Sequence, residues 1–545
     1  MSDLIKPMNL KNSNPITGIT LEGFQVFDKP TYIPLDRLTL LFGPNSAGKS
    51  AVQDAFELYA ALLSKGADSY YSNSKVDELL KRHWRRIGGS NDRWVDRLSI
   101  AIIHTTQCDM HSFLGTQLGR KVWGELLANN SDAYELESRW HFQRKEGDKL
   151  SFSSCFELFI ESDLLVRHSY SELVVNLLHP LLSQTQLAIN FAEVARTCPN
   201  EVSLKEGHFA VRGYFFGFHP AGPHSGEENN RWLRYAAVPG DNDANTEDSA
   251  LLLAAIAELS LLLGNLLASA AGNSDFRPTT VEASRMVPKH GDLTFEVGDL
   301  DDPIPQIAID GDKKYKTLAE SVAAKLTNPP YPPLAKRQGY ADNVNLALSD
   351  DLFLENGYRL DYEFRVLMSK ANSQAAIDGA ELDQSEFGYL VELFLRDGEG
   401  RKHLFEDVGS GIGYVLPVLC AIFDPSPDFS TCFIQQPELH IHPALQAAMG
   451  DVFIKGRGTG KQVLLETHSE HLLLRILKRI RQTHLQASIA PELKICADDV
   501  CVLYFDPSPD GTTTVKRLRI TEDGEFMDRW PRGFFGERDQ ELLDE

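Results

Sequence analysis

The sequence has little that would tie it to a membrane, a disulfide scaffold or the length of a nucleic acid. Its seven cysteines are odd in number, widely spaced and contain no Cys-x-x-Cys pair, which excludes a disulfide framework and a zinc knuckle as expectations. Cys432 and Cys501 lie in apolar runs and read as small buried hydrophobes. The opening stretch MSDLIKPMNLKNSNP has no apolar h-region, so no secretory signal is expected and a cytoplasmic location follows. Basic residues are scarce, with 54 Lys and Arg against 77 Asp and Glu and a formal net charge of -23. Phosphate affinity needs concentrated positive charge, so any nucleic-acid contact is confined to a local patch. One apolar run, Ala250 to Gly272, approaches the length of a membrane span, but Glu258, Ser260 and Asn265 interrupt it and no basic cluster flanks it. It reads as a helix buried in a core or a dimer interface. Of the 545 residues, 42% are hydrophobic and 24% charged, an ordinary globular balance with room for two or more cores.

Against these absences stands one clear chemical signal. LDRLTLLFGPNSAGKSAVQDAFELYAALL begins with an apolar strand, Leu38 to Phe42, passes through Gly43, Pro44, Asn45, Ser46, Ala47, Gly48, Lys49 and Ser50, and continues as a helix with Val52, Ala55, Phe56, Tyr59, Leu62 and Leu63 on one face. This is G-x-x-x-x-G-K-S in the strand-loop-helix setting that gives the motif its meaning. The two glycines let the backbone wrap a phosphate, and the loop amides and helix N-terminus supply donors. Lys49 reaches the β and γ phosphates, and the Ser50 hydroxyl can ligate magnesium. Nucleotide triphosphate binding follows, with ATP and Mg2+ as the cofactors.

A second constellation lies far downstream. GYLVELFLRDGEGRKHLFEDVGSGIGYVLPVLCAIF predicts two strands joined at Asp397 to Gly400, a turn at Asp407 to Gly411 and an apolar helix over Ile412 to Phe423. A Gly-Ser-Gly turn opening a helix offers Ser410 and free amides to an anion, and is also what an ordinary capped helix looks like. The strand Thr431 to Ile434 then runs into QQPELHIHP, with a helix starting near Pro443, and KQVLLETHSEHLLLRILKRI is a strand ending in Glu466, Thr467, His468 and Ser469 before an amphipathic helix. Polar groups just past the carboxyl ends of strands are where open α/β sheets do chemistry.

Together, GITLEGFQVF, GPNSAGKS, DVGSGIGYVLPVL, QPELHIHPALQ, ETHSEHLLLRI and the ending LRITEDGEFMDRWPRGFFGE resemble the ABC-type ATPase heads of the SMC, Rad50, RecF and OLD group. More narrowly, they resemble bacterial AAA-like ATPases with a C-terminal domain of unknown function 3696. The resemblance implies an α/β fold: a P-loop head of mixed sheet and flanking helices, split by a long, largely helical insertion. The implied boundaries are 1–65 for the N-terminal half of the head, 66–385 for the insertion and 386–545 for the C-terminal half. It implies Gly43 to Ser50 as Walker A, Ser410 and Gly411 as a signature turn offered to the nucleotide of a second subunit, and His468 as the switch histidine. Two departures stand out. Gln435 occupies the magnesium position beside Ser50 in role, and Gln436 the place of the water-activating glutamate. An amide ligates magnesium weakly and takes no proton at neutral pH. Glu438, in the same turn, is either a catalytic carboxylate or a helix N-terminal one favoured by the dipole. Tyr414 replaces an expected polar residue. The resemblance further implies a homodimer or higher even-numbered oligomer and slow or conditional hydrolysis. It also implies a regulatory role in an anti-phage system of the Septu or retron type, with a partner HNH-type nuclease. Its rivals are a RecF- or Rad50-like repair ATPase, for which the middle lacks long heptad runs, and a nucleotide-binding scaffold without turnover.

The middle carries fewer signals. KRHWRRIGG, Lys81 to Gly89, with Arg93 and Trp94 interleaves cations and indoles. That suits a DNA or RNA contact and equally a solvated face with one buried Trp. LHPLLSQTQLAINFAEVA predicts a helix, TNPPYPPLAKRQGY a connector, and His440 and His442 lack a third ligand for zinc.

Overall fold

The computed structural model describes residues 16–64, 74–85, 95–106, 134–144, 152–169, 172–179, 186–197, 202–212, 214–216, 234–236, 256, 259, 263, 278–288, 294–297, 318, 339–353, 357–368, 377–378, 387–424 and 431–531. The described chain falls into two compact units. One takes in the residues up to Pro278 together with Cys501–Leu518, the other Thr279–Val500 and the residues from Arg519 onward. The division at Pro278 lies inside the span read above as a single insertion.

In the first unit, β1 (Ile16–Glu22) and β2 (Thr31–Pro34) precede β3 (Leu38–Phe42), and the P-loop follows β3 into α1 (Ser50–Ser64) and then α2 (Ser74–His83). β3 is buried along its whole length, as a strand covered on both faces must be. Next come β4 (Arg97–Thr106), β5 (Tyr134–Arg144), β6 (Phe152–Ile160), β7 (Asp163–Ser169), β8 (Glu172–Asn176), α3 (Gln186–Thr197), β9 (Val202–Lys205) and β10 (His208–Arg212), with a small pair formed by β11 (Tyr214–Phe216) and β12 (Arg234–Ala236). Nine strands form one sheet in the order β2-β1-β4-β5-β6-β7-β8-β10-β9, every neighbouring pair antiparallel. The largely helical insertion is therefore not met among the described residues, where strands predominate. The physical reason lies in the period. On β5, Leu136, Ser138, Trp140 and Phe142 are buried while the intervening Glu135, Glu137, Arg139, His141 and Gln143 are not, the two-residue alternation of a half-covered strand. Helix α3 does form, over the latter part of its predicted span. The run Ala250 to Gly272 lies largely outside the described residues. Ile256, Leu259 and Leu263 within it are helical and buried.

The second unit opens with β13 (Thr279–Val281) and β14 (Thr294–Val297). Helix α4 (Tyr340–Leu346) runs into a π turn at Ala347–Leu352, followed by β15 (Arg359–Met368), β16 (Phe387–Arg396) and β17 (Lys402–His403). β14, β15 and β17 all pair with β16, and the predicted Asp397 turn joins β16 to β17. Then follow α5 (Ser410–Phe423), β18 (Thr431–Gln435), α6 (Pro443–Arg457), β19 (Gln462–Glu466) and α7 (Glu470–His484). β13, β18 and β19 are parallel neighbours, with Gln435 opposite Glu466 at the strand ends. Helices α6 and α7 are joined through buried Asp451, which accepts from Arg475 Nη1 at 2.7 Å and from Arg479 Nε and Nη2 at 2.7 Å each. Residues after Arg519 grip α7. Arg481 Nε donates to the Asp523 carbonyl at 2.8 Å, and Gly524, at φ 70°, passes so close that a Cβ would fall on the Leu477 carbonyl.

Two further strands, β20 (Val500–Pro507) and β21 (Thr513–Leu518), pair antiparallel, and β20 lies beside β3. Among the described residues, no helix is long and apolar enough to cross a membrane.

Candidate nucleotide site

The P-loop has the backbone that its sequence demands. Gly43 sits at φ 138° and Gly48 at φ 91°, conformations that side chains rarely adopt. A Cβ on Gly43 would lie 2.5 Å from the Phe505 carbonyl, and one on Gly48 would fall inside the Val26 side chain. Ser46 is also left-handed, at φ 63°. Lys49 is buried and its Nζ donates to the Gly43 and Pro44 carbonyls at 2.9 Å each, which ties the end of the loop back to its start. Ser50 begins the 15-residue helix α1, placing the positive end of the helix dipole at the loop. Glycines without room for a Cβ, a loop lysine and a helix N-terminus together fit a polyphosphate. Pro44, Asn45 and Ala47 complete the turn, with Asn45 exposed and Ala47 buried.

In the second unit the strand ends of β18 and β19 assemble a separate polar constellation. Four buried residues of β18 end at Gln435, whose Oε1 accepts from the Ala283 amide at 3.3 Å. Its oxygen thus serves the backbone after β13, where the resemblance places a magnesium ligand. As a neutral amide oxygen it is a weaker ligand for magnesium than a carboxylate. Gln436 adopts φ 43°, and its N–H donates to the Glu466 carbonyl at 2.6 Å, stitching the turn to the neighbouring strand. Glu466 itself stands opposite Gln435 in register and is a second carboxylate at the strand ends.

Glu438 is the centre of the turn. Its Oε2 accepts from Thr467 Oγ1 at 2.8 Å and its Oε1 from the His468 N–H at 2.7 Å. Burial pushes the Glu438 carboxyl above its usual range, against the pull of these hydrogen bonds and of Arg285. Thr467 in turn accepts from the Ser469 N–H at 3.0 Å. Ser469 caps α7 by accepting from Leu472 N at 3.1 Å and donates to Gln446 Oε1 at 2.7 Å. The chain of contacts fixes the backbone of His468 against the Glu438 turn. His442, read as half of a histidine pair, accepts from the Ala444 N–H at 3.3 Å and so caps α6 ahead of Pro443.

The Ser410–Gly411 turn meets this constellation. Ser410 is the first residue of α5, and a Cβ on Gly411 would lie 3.5 Å from Ile441 and 3.8 Å from the His440 carbonyl. The Tyr414 ring leans on the His440 ring at 4.7 Å between centroids. Gln435, Gln436, Glu438, His468 and Gly411 are therefore brought together in one unit, while Gly43 to Ser50 belong to the other.

Sequence reasoning passed over Arg285. Buried in the segment after β13, it donates to the carbonyls of Tyr414, Gln435, Gln436 and Pro437. A lone arginine in a stretch with no motif gives no sign of such a role, because its partners are backbone oxygens distant in sequence. The basic patches, conversely, are largely absorbed by structure. Trp84 is buried and its indole donates to the Val95 carbonyl at 2.8 Å; Arg82 pairs with Glu78 and Arg85 bonds the Gln25 and Gly511 carbonyls. Arg93 and Trp94 lie outside the described residues. On α7, Arg475 and Arg479 serve Asp451, and Arg481 pairs with Glu525.

Comparison with known proteins agrees with part of this. Residues 329–475 match the family model described as "AAA domain, putative AbiEii toxin, Type IV TA system", and residues 495–544 match "Protein of unknown function (DUF3696)". No curated protein matches the chain. Similar solved structures include the SmcHead bound to the C-winged helix domain of ScpA, at 12% identity and a TM-score of 0.41 over 93% of this chain and 98% of that one. A Pyrococcus furiosus Smc head with an extended coiled coil, bound to the C-terminal domain of ScpA, gives 12% and 0.38 over 97% and 99%. The SMC head domain from Thermotoga maritima gives 9% and 0.35 over 93% and 99%. TM-scores below 0.5 do not establish a shared fold. The two family matches support an AAA-type ATPase domain followed by a DUF3696 segment.

Proposed function

We propose that the chain is an ATP-binding regulatory ATPase that dimerises on nucleotide and hydrolyses it slowly or conditionally. The observation that carries this is the Glu438 turn: amides stand at both strand-end positions, and the one carboxylate of the turn is held by Thr467 and the His468 backbone. Glu438 is the carboxylate of the turn and binds a proton more tightly than an ordinary one, so it is the proton acceptor of this reading. Gly43 to Ser50 hold the triphosphate, whose bound magnesium would supply charge neutralisation at the phosphates. Ser410 and Gly411 serve a second copy's nucleotide, and His468 is the switch histidine.

Control of a partner HNH-type nuclease in a cytoplasmic anti-phage system is the finer part of the proposal. It is supported by the sequence resemblance and is in keeping with the Type IV TA system named in the matched AAA description. A DNA or RNA contact through a local patch remains part of it, with Lys81 and the residues beyond Arg85 as its ground.

Phosphate release and mass in solution with and without ATP test the core of this reading on the full chain. Slow release that Lys49→Ala abolishes, a dimer that appears only with ATP, and faster release in Gln436→Glu are expected. A monomer at saturating ATP, or rapid release that survives Lys49→Ala, would refute it. Mass spectrometry of material co-purifying from the native host tests the nuclease partner.

A further inference from the structure

The segment Glu282–Val287, which leads out of β13, runs between the two motifs of the second unit and touches both. Ala283 N–H reaches Gln435 Oε1, and a Cβ on Gly413, in the first turn of α5, would lie 2.5 Å from Val287. Between them, Arg285 Nε donates to the Tyr414 carbonyl at 2.9 Å, Nη1 to the Gln435 and Glu282 carbonyls at 3.2 and 3.4 Å, and Nη2 to the Gln436 and Pro437 carbonyls at 3.1 Å each. Three consecutive carbonyls converge on one cation, an arrangement that goes with Gln436 in the left-handed region at φ 43°. On the helix side, Pro417 lacks the N–H that would bond the Gly413 carbonyl, and the next carbonyl along, that of Tyr414, is the one that takes the guanidinium. A planar fork of donors spans two elements at once, which a lysine ammonium on its single point of charge cannot do.

We propose that Arg285 is a positioning residue of this site: it locks the turn carrying Gln435, Gln436 and Glu438 to the helix that opens with Ser410 and Gly411, so that a displacement of one moves the other. The functional half of the proposal rests on the nucleotide reading above. Movement of the signature turn toward a second copy would then be felt at Glu438 and, through Thr467, at the His468 backbone.

The test compares Arg285→Lys and Arg285→Ala with the wild-type chain in two readouts, and uses Asp451→Ala as a control for general loosening. Amide hydrogen exchange needs no nucleotide. The Gln436 and Leu439 amides, which bond the Glu466 and Gln436 carbonyls, and the amides of residues 412–416 and 418 are expected to exchange about tenfold faster together in Arg285→Lys, with residues 500–506 unchanged. Steady-state phosphate release is expected to lose about 10- to 100-fold in kcat with KM within about threefold, because a misplaced turn costs turnover and not P-loop binding. Faster exchange in one segment alone, or in neither, overturns the coupling. The same pattern in Asp451→Ala overturns it as well, since loosening would then be general. Coupled exchange with unaltered kcat, or a wild type that releases no phosphate, leaves the lock standing and refutes the nucleotide reading.

Discussion

Replacing Glu438 separates its structural from its chemical role. In Glu438→Ala, the Thr467 hydroxyl and the His468 N–H lose their acceptor, and Thr467 is fully buried, so water cannot substitute. Two donors to a charged group, each worth about 1.5 to 2.5 kcal/mol, give a loss of about 3 to 5 kcal/mol. In Glu438→Gln the amide oxygen can still accept from His468, and the amide N–H can donate to a Thr467 hydroxyl turned to accept, so the loss is about 1 kcal/mol. The pH dependence has a definite sign. The folded carboxyl binds its proton more tightly than the unfolded one. The wild-type advantage is therefore complete below the ordinary carboxylate range and fades as pH rises through the raised value, whereas glutamine does not titrate.

Urea unfolding of the full chain at pH 5 and pH 8, with phosphate release at pH 8, measures both roles. The gap between wild type and Glu438→Gln should narrow from pH 5 to pH 8, and phosphate release should fall about 100-fold or more in Glu438→Gln, the lower bound for a lost proton acceptor. A gap that widens with pH would refute the burial argument. Wild-type phosphate release from Glu438→Gln would refute the catalytic one, and Glu466→Gln would then be the variant to follow.

Three further outcomes are expected. Asp451→Ala breaks a largely buried pairing with two arginines and should cost about 2 to 4 kcal/mol, discounted for the partial exposure of Arg475; urea midpoints check it. Gly48→Ala forces a side chain into Val26 at φ 91° and should weaken ATP binding at least about tenfold by calorimetry, as the loop can no longer close. His104 is buried, its Nδ1 has no partner, and burial holds it down at about 3. It stays neutral when folded and charges when unfolded, so the first unit loses stability as pH falls from about 6.5 toward 3, by up to about 4 kcal/mol. His104→Leu should flatten that acid slope in melting curves.

What the sequence made legible was local. The P-loop could be read because glycine spacing, a strand and a helix all act within 30 residues, and the structure has them where that reading put them. The strand-end grouping of Gln435, Gln436, Glu438 and His468 was legible for the same reason, as polar residues after apolar runs. The antiparallel sheet was missed although β5 and its neighbours alternate cleanly. Its strands are long, polar on one face and interleaved with residues outside any motif, and a family expectation of helices displaced the period-2 reading. Arg285 was illegible on principle. Its partners are carbonyls, which every residue carries, and only the fold decides which ones face a buried guanidinium.

The amide at position 435 has a physical reason that does not depend on catalysis. Gln435 and Glu466 face each other in register on adjacent parallel strands, and Glu438 reaches the residues just after Glu466. A carboxylate at 435 would put a third negative charge among strand ends only about 4.8 Å apart, and like charges directly opposite one another destabilise a sheet. It would also raise the already elevated proton affinity of Glu438 further. The amide keeps the hydrogen bond from Ala283 without the charge. Position 436 is under a different constraint, because its backbone bonds to Glu466 and Arg285 and its side chain is only partly buried. Charge restored there meets less opposition than charge restored at 435, so turnover recovered by Gln436→Glu alone, and not by Gln435→Glu alone, is the pattern that this geometry requires.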